Sequence, residues 1–167
     1  MALFSLSAVV KCKHFPEYSL YISGDSAGKP SPYGVGVAIL RTDGSGIDPV
    51  NLVCMPGPDP DKNDVYFVFQ EQNNQKIYLR AEPNQGTFNC QYDDDVPTVD
   101  SWEAFRIEPV ADGDEGDVVL LPVVWNKSSD KPGQCVIVKQ GGPNTFQLFD
   151  YDPDNVNPAA VFTITSP

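Results

Sequence analysis

Cys12 and His14 are the first residues whose types and spacing suggest chemistry. His14 is the only histidine in the chain. Any Ser-His-Asp or Cys-His nucleophilic centre would depend on it. Cys12 lies two residues earlier and would share a strand face with it, since side chains alternate with a period of two. A working dyad also needs an orienting group and an oxyanion site, and the neighbouring residues announce neither. A histidine on a surface turn is the simpler reading, and no enzyme is expected.

Carboxylates are the other abundant reactive group: Asp93 to Asp95, Asp112, Asp114, Glu115, Asp150, Asp152 and Asp154. Acid–base work needs one of them in a protected cleft with a raised pKa. These acids stand beside Gly and Pro, where they cap turns and stay hydrated. Asp150, Asp152 and Asp154 alternate as calcium ligands do, but the EF-hand glycine and terminal glutamate are missing. The four cysteines, Cys12, Cys54, Cys90 and Cys135, show no metal-binding spacing. They read as buried thiols of a reduced protein, with two disulfides of a secreted form as the alternative. No metal or cofactor is expected.

Two tryptophans offer stacking surfaces for sugars. Trp102 leads into Phe105 and Ile107 and is expected to seal the core. Trp125 beside a polar tip is the better surface candidate. Neither stands in a Gln-x-Trp repeat of the ricin type. Asn126-Lys127-Ser128 is a glycosylation sequon, relevant only to a secreted protein.

That leaves loops as the working parts, and strands must hold them. Leu3–Lys13, Leu20–Ile22, Val37–Leu40 and Val50–Cys54 read as strands, with a turn over His14–Ser19 and another over Arg41–Pro49. Val65–Gln70 and Lys76–Ala81 flank the polar tip Glu71–Gln75, as in a hairpin. Thr87–Tyr92, Trp102–Val110, Val118–Trp125, Cys135–Val138, Phe146–Phe149 and Val161–Ile164 follow. Tyr21, Tyr78 and Ile137 recur at nearly even spacing, as do Phe105 and Phe162. Three such units, approximately 1–55, 64–110 and 117–167, can share one core that none could build alone. The expected fold is all-β, a single-domain β-trefoil: a six-stranded barrel capped by three hairpins, with no open sheet edge. A β-sandwich or jelly roll is the alternative.

Bulk composition agrees. The 16 prolines and 13 glycines among 167 residues exclude long helices, while 41% hydrophobic residues suffice for a core. A net charge of −12 disfavours nucleic acid and anionic membranes as partners. No stretch is apolar enough to span a membrane, and Met1–Val10 lacks a signal peptide's basic lead. A monomer in the cytoplasm is expected, with secretion as the alternative.

Ala104-Phe105-Arg106-Ile107-Glu108-Pro109, then Ala111-Asp112-Gly113 and Gly116-Asp117-Val118, resemble the strand and acidic turn that open the third unit of macrocypins. By these residues and by its length and acidity, the chain resembles the mycocypins, the clitocypin and macrocypin protease inhibitors of mushrooms. The resemblance implies a β-trefoil whose first-unit loops block papain-like cysteine proteases. Here those loops would be Cys12–Ser19, with His14, Phe15, Pro16, Glu17 and Tyr18, and Arg41–Pro49, with Asp43, Gly44, Ser45 and Gly46. It also implies legumain inhibition through Asn73 or Asn74, and in a few relatives trypsin inhibition, for which Lys76 or Lys13 is the basic residue to test. The family's glycine-rich first loop is replaced here by bulkier residues, and clitocypin lacks cysteine. A carbohydrate-binding trefoil is the rival function, and a loop-binding protein that blocks no enzyme is a third.

Overall fold

The computed structural model describes residues 6–22, 36–41, 52–70, 76–81, 88–92, 102–126, 133–139 and 145–166. It is all-β, with short 3-10 turns. The strands are β1 Leu6–Ser7, β2 Val9–Cys12, β3 Ser19–Ile22, β4 Gly36–Arg41, β5 Leu52–Pro56, β6 Asp64–Gln70, β7 Lys76–Ala81, β8 Phe88–Tyr92, β9 Ala104–Pro109, β10 Asp117–Pro122, β11 Gln134–Lys139, β12 Thr145–Asp150 and β13 Phe162–Thr165.

Their pairing closes a ring. β1 pairs with β5, β5 with β6, β6 with β9, β9 with β10, β10 with β13, and β13 with β2. β1 and β2 are one barrel strand interrupted at Ala8, whose N–H donates to the Leu52 carbonyl instead. Three hairpins, β3–β4, β7–β8 and β11–β12, are joined to one another through β4. A six-stranded barrel with a hairpin triplet is the β-trefoil architecture, and the expected fold class holds.

Period-two alternation sorts the side chains into an inner and two outer clusters. In β6, Val65, Phe67 and Phe69 enter the central core, while Tyr66 and Val68 pack outside it against Tyr78, Ala104 and Val123. In β10, Val118 and Leu120 point in, while Val119 and Leu121 meet Cys135, Ile137, Ala159 and Ala160. Phe105 and Phe162 both lie in the central core, fully buried. Each such ring contributes about 1.5–3 kcal/mol by leaving water. Tyr78 and Ile137 hold matching places in the two outer clusters.

Two strand expectations need correction. The run Val118–Trp125 stops being a strand at Pro122, and Val123–Asn126 forms a 3-10 turn. Asn126 holds that turn: its side-chain amide donates to the carbonyls of Pro122 (2.7 Å) and Gln134 (2.9 Å), and its oxygen accepts from Gln134 N–H (3.2 Å). The sequon asparagine is therefore a structural residue. Trp102 does not open a strand or seal the barrel. It sits on the turn before β9, half-buried, with the Arg80 guanidinium 4.3 Å above its ring centre.

The turns from β5 to β6 and from β9 to β10 repeat each other. Pro56 pairs with Val65, and Pro109 with Val118. Gly57 N–H donates to the Asp64 carbonyl, and Val110 N–H to the Asp117 carbonyl. The residue before each aspartate is left-handed: Asn63 at φ 60° and Gly116 at φ 91°. Each aspartate is buried, 1% exposed for Asp64 and 5% for Asp117. Buried carboxylates need partners, and each has one. Arg106 Nε donates to Asp64 at 2.8 Å, and Lys13 Nζ donates to Asp117 at 2.5 Å.

Candidate functional site

The β2–β3 loop, residues 13–18, is built from two successive turns. Phe15 N–H donates to the Cys12 carbonyl and Tyr18 N–H to the Phe15 carbonyl, each at 3.0 Å. Pro16 suits such a turn because its φ is already fixed. The half-buried rings of Phe15 and Tyr18 pack against the central core. They meet each other edge-to-face at 6.3 Å, and His14 meets Phe15 edge-to-face at 4.7 Å. Phe15 and Tyr18 thus anchor the loop, while His14, Pro16 and Glu17 form its exposed tip.

The base of the loop is tied to the neighbouring strands of the barrel, β13 and β10. Lys13 N–H donates to the Val161 carbonyl at 2.8 Å. Its Nζ donates to Asp114 at 2.7 Å as well as to Asp117. Asp117 also accepts the Asp114 N–H at 2.9 Å. The hydrogen bond from Lys13 holds the Asp117 carboxyl below its ordinary range, against the upward push of desolvation. Hydrogen bonds donated to Asp114 and Asp117 hold the Lys13 ammonium above its ordinary range.

Cys12 and His14 do not share a strand face, because β2 ends at Cys12 and the chain turns. Cys12 is fully buried, with its thiol against the Ala159 carbonyl at 3.8 Å, while His14 is exposed. Burial raises the Cys12 thiol, and raises Cys54 and Cys135 to about 11. All three are free buried thiols, poor nucleophiles because thiolate is the reactive form.

Two carboxylates of the acidic loop 150–158 accept local hydrogen bonds while staying exposed. Asp152 accepts the Asp154 N–H at 3.0 Å, an Asx turn, and Asp150 accepts from Gln134 at 2.5 Å. Among the described residues no group of three His, Cys, Asp or Glu side chains converges as a metal site.

Beside the loop lies a groove of about 280 Å³. Val110, Val156, Pro158 and Val161 give it apolar walls, and Lys13, His14 and Asp117 border it. Sequence reasoning placed the loop but missed this groove and the lysine bridge, because both depend on segments far apart in the chain. Asp43, Gly44, Ser45, Gly46, Asn73, Asn74 and the Trp125 side chain lie outside the described residues.

No protein-family description matches the sequence, and no curated protein sequence matches it either. Solved structures do. A designed three-fold symmetric protein, ThreeFoil, superposes with TM-score 0.60 at 11% identity, over 96% of this chain and 98% of that one. The BEL β-trefoil gives 0.58 at 11% identity, over 95% and 91%. The cytolethal distending toxin of Haemophilus ducreyi gives 0.58 at 18% identity, over 96% and 84%. At these identities the likeness speaks for the fold: this chain is a β-trefoil.

Proposed function

We propose that the chain is a proteinaceous inhibitor that blocks papain-like cysteine proteases with its first-unit loops and performs no catalysis of its own. The observation that carries this reading is the β2–β3 loop, fixed by two turns, two core-packed rings and a lysine bridge, with His14, Pro16 and Glu17 exposed at its tip. A loop ordered before binding loses little entropy when it meets a cleft. The loop would enter the protease cleft and block it. Legumain is a second target through Asn73 or Asn74, which rests on the mycocypin resemblance alone. The buried free thiols suit a reducing compartment such as the cytoplasm. Among the described residues no helix is long and apolar enough to cross a membrane.

The test is an inhibition panel of papain, legumain and trypsin run beside a glycan array. Papain inhibition at or below micromolar protein, weakened at least tenfold by joint Pro16→Gly and Glu17→Gly substitution, is the expected result. No inhibition of any of the three rejects the reading. A saturable glycan on the array instead assigns the fold to carbohydrate binding.

A further inference from the structure

The groove beside the β2–β3 loop is apolar with acidic banks. Val110, Val156, Pro158 and Val161 form its apolar lining. On one bank, the exposed Asp112, Asp114 and Glu115 stand on the turn that carries Val110. Exposed Asp152 and Asp154 precede the lining residue Val156 by four and two residues, which puts a second acidic segment next to the groove. Lys13 is paired with Asp114 and Asp117, so its charge is spent on those two and the other four acids keep theirs. At about 280 Å³ the groove lies at the small end of ligand-site volumes, roughly 300–1,000 Å³. It has room for an aliphatic side chain.

From this charge and shape we infer that the groove receives an aliphatic side chain of a partner protein, flanked by lysine or arginine. The aliphatic group covers the valines, and the flanking cations meet the two banks. This deepens the inhibitor reading and rests on it in one respect: the groove borders Lys13 and His14, so a partner clasping the loop tip reaches the groove with an adjacent segment. Charge argues against the other occupants. A second copy of this chain would bring the same acidic banks, and an anionic ligand would meet repulsion from both. A basic segment would instead be steered in, with an attraction that salt screens.

The test uses nitrogen-15-labelled protein and three short probes: acetyl-Lys-Leu-Arg-amide, acetyl-Lys-Ser-Arg-amide and acetyl-Glu-Leu-Glu-amide. The leucine-basic probe is expected to shift the amides of Val110, Val156 and Val161. Its affinity should be at least fivefold above that of the serine probe, should fall severalfold in high salt, and the acidic probe should leave the groove unshifted. Val156→Glu should abolish the shifts. Joint Asp112→Lys and Glu115→Lys substitution, at exposed positions that leave folding intact, should weaken them about tenfold. Equal binding of the leucine and serine probes, no shift at millimolar probe, or concentration-dependent self-association through the groove each overturns the inference. The two readings fail separately. If papain is inhibited equally by wild type and both groove variants, the groove falls and the loop reading stands. If no protease is inhibited but the leucine probe binds the groove, the loop reading falls and the groove stands.

Discussion

Asn63 and Gly116 play one part in two turns: each is left-handed, and each delivers a buried aspartate, Asp64 or Asp117, into the first residue of a barrel strand. Left-handed backbone costs an ordinary L-residue roughly 1–2 kcal/mol, which glycine escapes and asparagine partly escapes. Gly116→Ala should therefore destabilise by about 1 kcal/mol, and Asn63→Gly should stay within about 0.5 kcal/mol of wild type. Urea denaturation midpoints of the two variants check this. A neutral Gly116→Ala would show that the turn relaxes to another conformation.

Asp64 and Arg106 are opposite each other on β6 and β9, joined through Nε at 2.8 Å and Nη2 at 3.4 Å. Arg106→Met strands a carboxylate that water scarcely reaches. The expected loss is about 2–3 kcal/mol, below the full cost of breaking a buried pair because Arg106 is a quarter exposed. Replacing both partners, Asp64→Leu with Arg106→Met, should recover most of it. Equilibrium denaturation of the single and double variants gives the coupling. Additive losses would mean the two groups do not act as a pair.

The Lys13 bridge sets a pH window. Asp117 has a lowered folded pKa, so its contribution is present above the ordinary carboxylate value, about 4, and is lost as pH falls through the folded value. Lys13 has a raised folded pKa, so its contribution is present below the ordinary lysine value, about 10.4, and is lost as pH rises through the folded value. Lys13→Met should thus lower the denaturation midpoint by a constant amount between about pH 5 and 9. The gap to wild type should close in acid as Asp117 protonates. The same variant should speed amide exchange at Phe15 and Tyr18. A gap that persists unchanged at pH 2 would assign the effect to lost packing of the lysine stem.

Thiol labelling tests the cores. With pKa values near 11, Cys54 and Cys135 hold roughly a thousandth of their population as thiolate at pH 8. Alkylation of Cys12, Cys54 and Cys135 in native protein should run at least about 100-fold slower than in denatured protein, because burial adds to the pKa effect. Peptide mapping by mass spectrometry identifies the labelled sites. Rapid native labelling of any of the three would place that thiol at the surface.

Much of the scaffold was legible because apolar residues advertise their face. Phe105 and Phe162 recur in the sequence and meet in one core, and Tyr78 and Ile137 recur and fill matching outer clusters. The loop over His14–Ser19 was also legible, since Pro16 forbids a continuing strand. What escaped has no local signal. Lys13 gives no hint that its partner stands 104 residues away at Asp117. Cys12 and His14 look like neighbours on a strand until the strand ends between them. The apolar run Val118–Trp125 conceals a 3-10 turn, because hydrophobicity alone does not separate strand from tight helix. The repeated turn was present in the sequence as Pro56 to Val65 and Pro109 to Val118, and is visible only when the two stretches are aligned on their aspartates.

The seam of the barrel has a consequence for how the chain is made. β2 meets its partner β13 through the contacts Cys12–Phe162 and Val9–Thr165. During synthesis Cys12 leaves the ribosome 150 residues before Phe162, so β2 waits for that length of chain before the rung can form. Such distant pairing slows folding. During the wait, the open side of β2 is a place where a nascent neighbour or a chaperone can bind first.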